Sequence, residues 1–167
     1  IGLIVWQFLR IFYQNNIDDG LLPTTMANVA MVVTNACDPD PRVIQSARWL
    51  SEQGHQVTIH AYDRQHSSSA VSIIDDVKII RYHLGKTPDG GLMKTGLGIR
   101  KFQKSVLSKL AIKSPDVVFC HDADTLVVGC KLKRKFGIKL VFDMHDLQHT
   151  WIMMPNPKSP VRKLISI

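Results

Sequence analysis

VVFCHD (residues 117–122) and LVFDMHD (residues 140–146) each run from an apolar strand directly into a His-Asp pair. Continuous apolar runs of this length are typical of strands that are buried on both faces of a parallel sheet. The carboxyl ends of parallel strands meet at one edge, where open α/β folds bind their ligands. The two segments therefore predict one cleft that carries both His121 and His145.

The rest of the chain repeats this alternation of strand and helix. Three further strands are predicted over 29–34, 56–61 and 77–82, and helices over 42–53, 97–113 and 124–136. Such alternation predicts an α/β fold, a Rossmann-like doubly wound parallel sheet. Residues 62–70 and 83–96 are predicted to be loops, and the long connection before the fourth strand marks the point where the strand order should reverse.

Composition fits one folded domain and argues against several classes of function. The 167 residues are 45% hydrophobic and 21% charged, which is enough for an ordinary core. The net charge of +7 lies mostly on predicted helix faces, which are either solvated or attracted to an anionic partner such as a membrane surface. No nucleic-acid-binding motif occurs, so nucleic acid is not an expected partner. Three cysteines without C-x-x-C spacing fit a reducing cytoplasm.

Both ends of the chain are expected to lie at the margins of this domain. Residues 1–25 are predicted to be an extension outside the fold, because the strand–helix pattern begins directly after Met26. Their apolar run is shorter than the ~20 residues that span a bilayer. Residues 26–167 form the predicted domain. The helix-like segment 162–167 has no cap after it, so we expect the protein to continue past it.

The loop after the first predicted strand, residues 35–41, opens a helix and carries Asp38 and Asp40, with Arg42 following. It has neither G-x-G-x-x-G nor a P-loop motif, so no dinucleotide cofactor is expected there. Two interpretations stay open. The aspartates cap the helix, or Asp38 contacts a polyhydroxylated substrate while Arg42 contacts a phosphate. Asp124 is interpreted as the cap of a later helix.

The histidine at the end of the fifth predicted strand has two interpretations. His145 can hydrogen-bond a sugar hydroxyl or a developing charge, with its pKa set by Asp143 or Asp146. Alternatively, a backbone carbonyl satisfies it. Metal ligation by His121, Asp122, His145 and Asp146 is conceivable, but sequence fixes no ligand geometry, and no metal is predicted.

Three blocks, in order and at this spacing, carry a family resemblance: DPRVIQSARWLSEQGHQVTIHA (40–61), PDVVFCHDADTL (115–126) and GIKLVFDMHDL (137–147). Together they resemble the N-terminal domain of GT-B glycosyltransferases, most closely glycosyltransferase family 4. The chain departs from the family pattern at two places. His121 matches a histidine of the family's H-x-H-D/E segment, while Cys120-His121-Asp122 lacks the first histidine of that segment, and Pro41-Arg42 stands where many members have paired glycines.

The resemblance implies a retaining hexosyltransferase that moves a sugar from a nucleotide-diphosphate donor to an acceptor hydroxyl, with no metal or other cofactor. This half would bind a glycan or lipid-linked acceptor. The donor domain would lie outside the chain, which we expect to be inactive alone. His145 would lie beside the transferred sugar as the catalytic residue, and Asp38 near the acceptor. The further substrate-binding residues that we expect are Arg42, His121, Asp122 and Asp146.

The same resemblance suggests where in the cell the protein acts, and two alternative functions stay open. Arg100, Lys101 and Lys104 would draw the domain to anionic lipid at the cytoplasmic face of a membrane, as in family members with lipid-linked acceptors. One alternative is a free-standing flavodoxin-like binding or signalling module. Another is half of a GT-B sugar-nucleotide epimerase, which would share this half-fold.

Overall fold

The computed structural model describes residues 26–84 and 92–143, in which strands and helices alternate. In chain order the elements are β1 (Asn28–Val33), α1 (Pro41–Glu52), β2 (Gln56–Ala61), β3 (Val71–Ile74), β4 (Val77–Arg81), α2 (Leu92–Ile112), β5 (Val117–His121), α3 (Leu126–Phe136) and β6 (Lys139–Asp143). The five predicted strands are all present, with ends that differ from the prediction by a residue at most where the structure describes them.

The strands form one six-stranded sheet in the order β3-β4-β2-β1-β5-β6. All neighbours are parallel except β3 and β4, which pair antiparallel. The order reverses beside β1, because the connection through α2 carries the chain from β4 across to β5 on the other side. The predicted doubly wound sheet and its point of reversal are confirmed.

Helices cover both faces of the sheet, as a doubly wound fold requires. On one face α1 buries Val43, Ala47 and Leu50 against alternate residues of the strands. On the other face α2 and α3 pack against the intervening strand residues, and Phe102 and Val106 are both fully buried. The strands are apolar on both sides because each side has a helix to pack against.

Two elements differ from the prediction. Val71–Ile74 forms β3, where no strand was predicted, and Asp75 and Asp76 turn the chain back with φ values of 49° and 63°. Two-residue hairpin turns favour residues that tolerate positive φ, and aspartate is one of them. The second difference is α2, which begins at Leu92 and not at 97, so the predicted loop over 83–96 is too long. Within the described ranges, no helix is long and apolar enough to span a bilayer.

Candidate functional site

Asp40 is the N-cap residue of α1 and also contacts the loop that precedes this helix. Its Oδ1 accepts hydrogen bonds from the backbone N–H of Arg42 and Val43, at 3.3 and 3.4 Å. Its Oδ2 accepts one from Asn35 Nδ2 at 2.8 Å. Pro41 occupies the first helical turn, where its missing N–H costs nothing. The capping interpretation is therefore confirmed for Asp40.

Asp38 and Arg42 are free of this capping task. Asp38 is exposed and accepts a hydrogen bond from the hydroxyl of Ser68, in the loop after β2. Arg42 has a side chain that is 44% exposed, and its Nε lies 3.8 Å from Asp40 Oδ1. Both groups are accessible to a ligand at the carboxyl end of β1.

A buried arginine fastens the loop of Asp38 to the rest of the sheet edge. Arg81, at the end of β4, donates to the carbonyls of Ala36 at 2.7 Å and Cys37 at 3.3 Å. It also donates to the Ser69 carbonyl at 3.1 Å and to Ser72 Oγ at 2.7 Å. A guanidinium can hold several carbonyls at once because its donors point in fixed directions. Arg81 thus sets the position of two loops at this edge.

Asp63 organises the loop after β2 from inside. Burial raises the pKa of its carboxyl, but hydrogen bonds from backbone N–H groups, including those of Gln65 and Ser68, and from His83 outweigh this, so the pKa is lowered. His83 Nε2 lies 3.2 Å from Asp63 Oδ2. The ring of His83 stacks on that of His66 at a centroid distance of 4.6 Å.

The end of β5 is fixed by Thr125, which contradicts the predicted role of Asp124. Thr125 is the cap residue of α3, and its hydroxyl donates to the carbonyls of His121 at 2.6 Å and Asp122 at 2.9 Å. The carboxylate of Asp124 instead accepts a hydrogen bond from Thr34 Oγ1 at 2.8 Å. The prediction that Asp124 caps the helix is wrong, because this side chain reaches across to the end of β1.

His121 lies under the surface of the site. Its ring is fully buried, stacks on Phe119 at 4.7 Å, and places Nδ1 3.5 Å from Asp143 Oδ2. Asp122 has a φ of 73° and donates its N–H to the Asp143 carbonyl at 3.2 Å. The role of His121 and Asp122 in substrate binding stays a prediction.

The predicted residues fall into two groups along the sheet edge. Asp38 and Arg42 lie over β1, while His121 and Asp122 lie at the junction of β5 with β6. His145 and Asp146 lie outside the described residues. Across residues 26–84 and 92–143, no three His, Cys, Asp or Glu side chains are grouped to hold a metal ion.

Arg64 and Arg81 were not among the predicted site residues, although the sequence carries a signal for both. Arg64 follows β2 by a few residues and Arg81 ends β4, so both lie at the edge where ligands bind in such sheets. The set of polar residues near the carboxyl end of every predicted strand, and not of three strands, contains both.

The comparisons with known proteins agree with this architecture. The model of "Glycosyltransferase Family 4" matches residues 42–166. No curated protein matches the chain in sequence. Among solved structures, sucrose-phosphate synthase from Thermosynechococcus elongatus superimposes with a TM-score of 0.66 at 14% identity, over 84% of this chain and 39% of that one.

Two further structures superimpose less closely. The catalytic domain of starch synthase IV from Arabidopsis thaliana, bound to ADP and acarbose, has a TM-score of 0.55 at 16% identity, over 74% of this chain and 35% of that one. The C-terminal domain of a hydrogenase from Pyrococcus furiosus also reaches 0.55, at 14% identity, over 74% of this chain and 96% of that one. Identities this low show the fold alone.

The family match covers most of the chain, whereas the chain spans about two fifths of the sucrose-phosphate synthase structure. The sheet with helices on both faces is the Rossmann-like half of a GT-B fold. The chain belongs to glycosyltransferase family 4.

Proposed function

We propose that this domain holds the acceptor in a retaining glycosyltransferase, which moves a hexose from a nucleotide-diphosphate donor to an acceptor hydroxyl. Family membership supports sugar transfer as the activity. The observation that carries the proposal is the polar edge at the carboxyl ends of β1, β2 and β5, beside the point where the strand order reverses. Ligands of open α/β sheets bind at this place.

The donor is proposed to bind mainly to a second domain, which makes the present domain inactive alone. The first loop has Pro41 and Arg42 where a glycine-rich turn would let the backbone approach a diphosphate. The starch synthase IV domain is bound to ADP, and this chain spans only 35% of that structure. Stabilisation of the departing nucleotide diphosphate would then come from groups outside this domain.

Within the domain, each predicted residue has a proposed role. His145 would hydrogen-bond the transferred sugar, and Asp146 and Asp122 would contact substrate beside it. Asp38, exposed on the first loop, would accept a hydrogen bond from an acceptor hydroxyl, and Arg42 would contact a phosphate. His121 is buried, so its proposed contribution to substrate binding includes holding the β5–β6 junction through Asp143.

Transfer is tested with the protein produced from its complete reading frame. It is incubated with radiolabelled UDP-, ADP- and GDP-hexoses and a set of glycan and lipid-linked acceptors. We expect a product that keeps the anomeric configuration of the donor, seen by NMR, and a loss of about 100-fold or more in kcat for H145A. D38N should raise KM for the acceptor, whereas D76N, on the distant β3–β4 turn, should not.

Two results would overturn this function. Conversion of the nucleotide sugar to its epimer, with the nucleotide still attached, would favour the epimerase. Absence of transfer, hydrolysis and epimerisation across all donors would favour a binding module without catalytic activity.

We also propose an anionic membrane surface, at its cytoplasmic face, as a second partner, and the charge of two helices supports the contact with anionic lipid. The two helices on one side of the sheet, α2 and α3, contain nine lysines and arginines and no acidic residue. Arg100, Lys101 and Lys104 are all exposed. A groove of about 470 Å³ between these helices has an apolar floor that includes Leu107 and Phe136. Such a face suits anionic lipid, because each basic residue near the surface contributes roughly 1 kcal/mol to binding.

Vesicle sedimentation tests this partner at low salt. The variant R100E/K101E/K104E should bind phosphatidylserine vesicles at least about 100-fold more weakly than the unmodified protein, while K78E on β4 should bind almost normally. Neutral phosphatidylcholine vesicles should bind neither protein. Equal sedimentation of the triple variant and the unmodified protein would exclude this face as the contact.

A further inference from the structure

Thr34, directly after β1, contacts two side chains from different parts of the chain. Its hydroxyl donates to Asp124 Oδ2 at 2.8 Å, and its carbonyl accepts a hydrogen bond from Arg64 Nη2 at 3.3 Å. Arg64 belongs to the loop after β2, and Asp124 lies between β5 and α3. Because both hold the same threonine, Arg64 and Asp124 lie next to each other at the carboxyl end of the central strand.

Among the described residues, each of these two side chains has one buried polar atom without a hydrogen-bond partner. Arg64 Nε and Asp124 Oδ1 are buried, and within the described ranges neither makes a hydrogen bond. A buried polar atom without a partner costs about 1–3 kcal/mol. One of these atoms is a donor and the other an acceptor, yet they do not bond to each other. A third group that accepts from one and donates to the other would satisfy both.

We infer that Arg64 and Asp124 bind a hydroxyl group of a neutral polyhydroxylated acceptor. A hydroxyl is the group that fits, because its oxygen accepts from Arg64 Nε–H while its own proton is donated to Asp124 Oδ1. The inference rests on the proposed function and deepens it, since it assigns the acceptor class and two residues that contact the acceptor.

The two side chains are held firmly enough to act as a site. Gln103 Nε2 donates to the Asp124 carbonyl at 2.6 Å. The Arg64 guanidinium lies over the ring of Tyr62, 5.4 Å from its centroid. The loop of Arg64 also contains Ser68, whose hydroxyl donates to Asp38, so one loop contributes to the new subsite and contacts the residue already proposed to face the acceptor.

The charges at this subsite favour a neutral ligand over a phosphate. The Asp124 carboxylate lies beside the Arg64 guanidinium and offsets its charge. Burial raises the pKa of Asp124, and the hydrogen bond from Thr34, the charge of Arg64 and the nearby backbone N–H groups of Asp124 and Thr125 together lower it less than burial raises it. A phosphate would bring a second anion to a carboxylate that is already poorly solvated.

The Arg64 Nε–H resonance in a 1H–15N spectrum reports directly on this contact. We would titrate the chain with myo-inositol, with methyl α-D-glucopyranoside and, separately, with inorganic phosphate. We expect the neutral polyols to shift the resonance saturably, with little effect of phosphate. D124N should weaken polyol binding about tenfold or more, because its amide places a donor where an acceptor is needed. D76N, an exposed aspartate on the β3–β4 turn, should bind as the unmodified chain does.

Three results would overturn the inference. They are a resonance that does not move up to the solubility limit of the polyols, a stronger response to phosphate than to polyols, and unchanged polyol binding by a D124N chain with a native spectrum. These outcomes are separate from the transfer assay, because no donor is present. If polyols bind but no sugar is transferred, the proposed transferase function is refuted and the subsite stands. If sugar is transferred but polyols do not bind, the subsite is refuted and the transferase function stands.

Discussion

Gly98 of α2 lies directly against Tyr62, so that a methyl group on its Cα would fall 2.4 Å from Tyr62 Oη. Tyr62 is 1% exposed and stacks on Phe102 at a centroid distance of 5.2 Å, which leaves its ring little room to move. The close approach explains why a residue with poor helix propensity stands inside a helix.

The G98A variant should therefore lose stability even though alanine favours helices. Overpacking of a buried contact costs about 1–3 kcal/mol, which exceeds the ~1 kcal/mol that alanine adds in a helix interior. G96A is the matched control, since nothing lies within 4 Å of its added methyl group, and it should be stabilised. Urea unfolding of both variants measures the difference, and equal stabilisation of the two would contradict the contact with Tyr62.

Arg81 should contribute far more to stability than a typical surface arginine. It is 6% exposed and holds four acceptors, among them the carbonyls of Ala36 and Cys37. R81M should lose about 3 kcal/mol or more, because those acceptors lose a charged partner. Faster hydrogen exchange over residues 36–40 and 69–72 should accompany the loss.

The control for Arg81 is R48M. Arg48 forms an ion pair with Asp75 in which both side chains are more than 40% exposed, and such pairs contribute about 0–1 kcal/mol. If R48M and R81M lose the same stability, the four hydrogen bonds of Arg81 do not hold the loops as the structure indicates.

Much of the fold could be predicted because the strands are buried on both faces, and a continuous apolar run is then a clear signal. Edge strand β3 gave no such signal. Val71 and Ile73 are 53% and 72% exposed, so its apolar residues reflect pairing with β4 and not burial. The start of α2 was missed because the run of glycines before residue 97 argues locally against a helix, while the requirement for Gly98 comes from tertiary contact with Tyr62.

The candidate site was predictable only in outline. Sequence placed polar residues at the ends of strands, and Asp38 and Arg42 are indeed accessible there. It could not show that Asp124 turns toward Thr34, or that His121 is buried, because both depend on contacts between residues far apart in the chain. Hydrogen-bond partners of this kind carry no local sequence pattern.

The β3–β4 turn offers a stabilising substitution. Asp76 has a φ of 63° and Asp75 one of 49°, a conformation in which glycine avoids the steric cost that other residues bear. D76G should raise the free energy of unfolding by about 0.5–1 kcal/mol, because relief of the left-handed conformation, ~1–2 kcal/mol, exceeds the entropic cost of a glycine, ~0.5–1 kcal/mol. K78G, at an exposed strand position on β4, should instead lose up to about 1 kcal/mol. A loss in D76G as large as that in K78G would mean that the turn lacks this conformation.

His60 should make the fold sensitive to mild acid. It is 2% exposed, its Nδ1 lies 2.9 Å from Tyr82 Oη, and burial, together with the charge of Lys109, lowers its pKa from 6.5 to about 4. Between these two values the unfolded chain binds a proton that the folded chain does not, so stability must fall as the pH falls. The contribution is complete above pH 6.5 and, by linkage, roughly 3 kcal/mol of it is lost by pH 4.

Urea unfolding at several pH values, with H60Q alongside, measures this contribution. Subtracting the H60Q profile removes the part of the acid sensitivity that comes from carboxylates such as Asp63, whose lowered pKa also makes stability fall in acid. The difference in unfolding free energy between the two proteins should change between pH 6.5 and 4. The ring protons of His60 in the folded chain should titrate near the lower of these two pH values. Parallel profiles for the two proteins, or a His60 that titrates near 6.5 in the folded chain, would show that the imidazole is not buried as described.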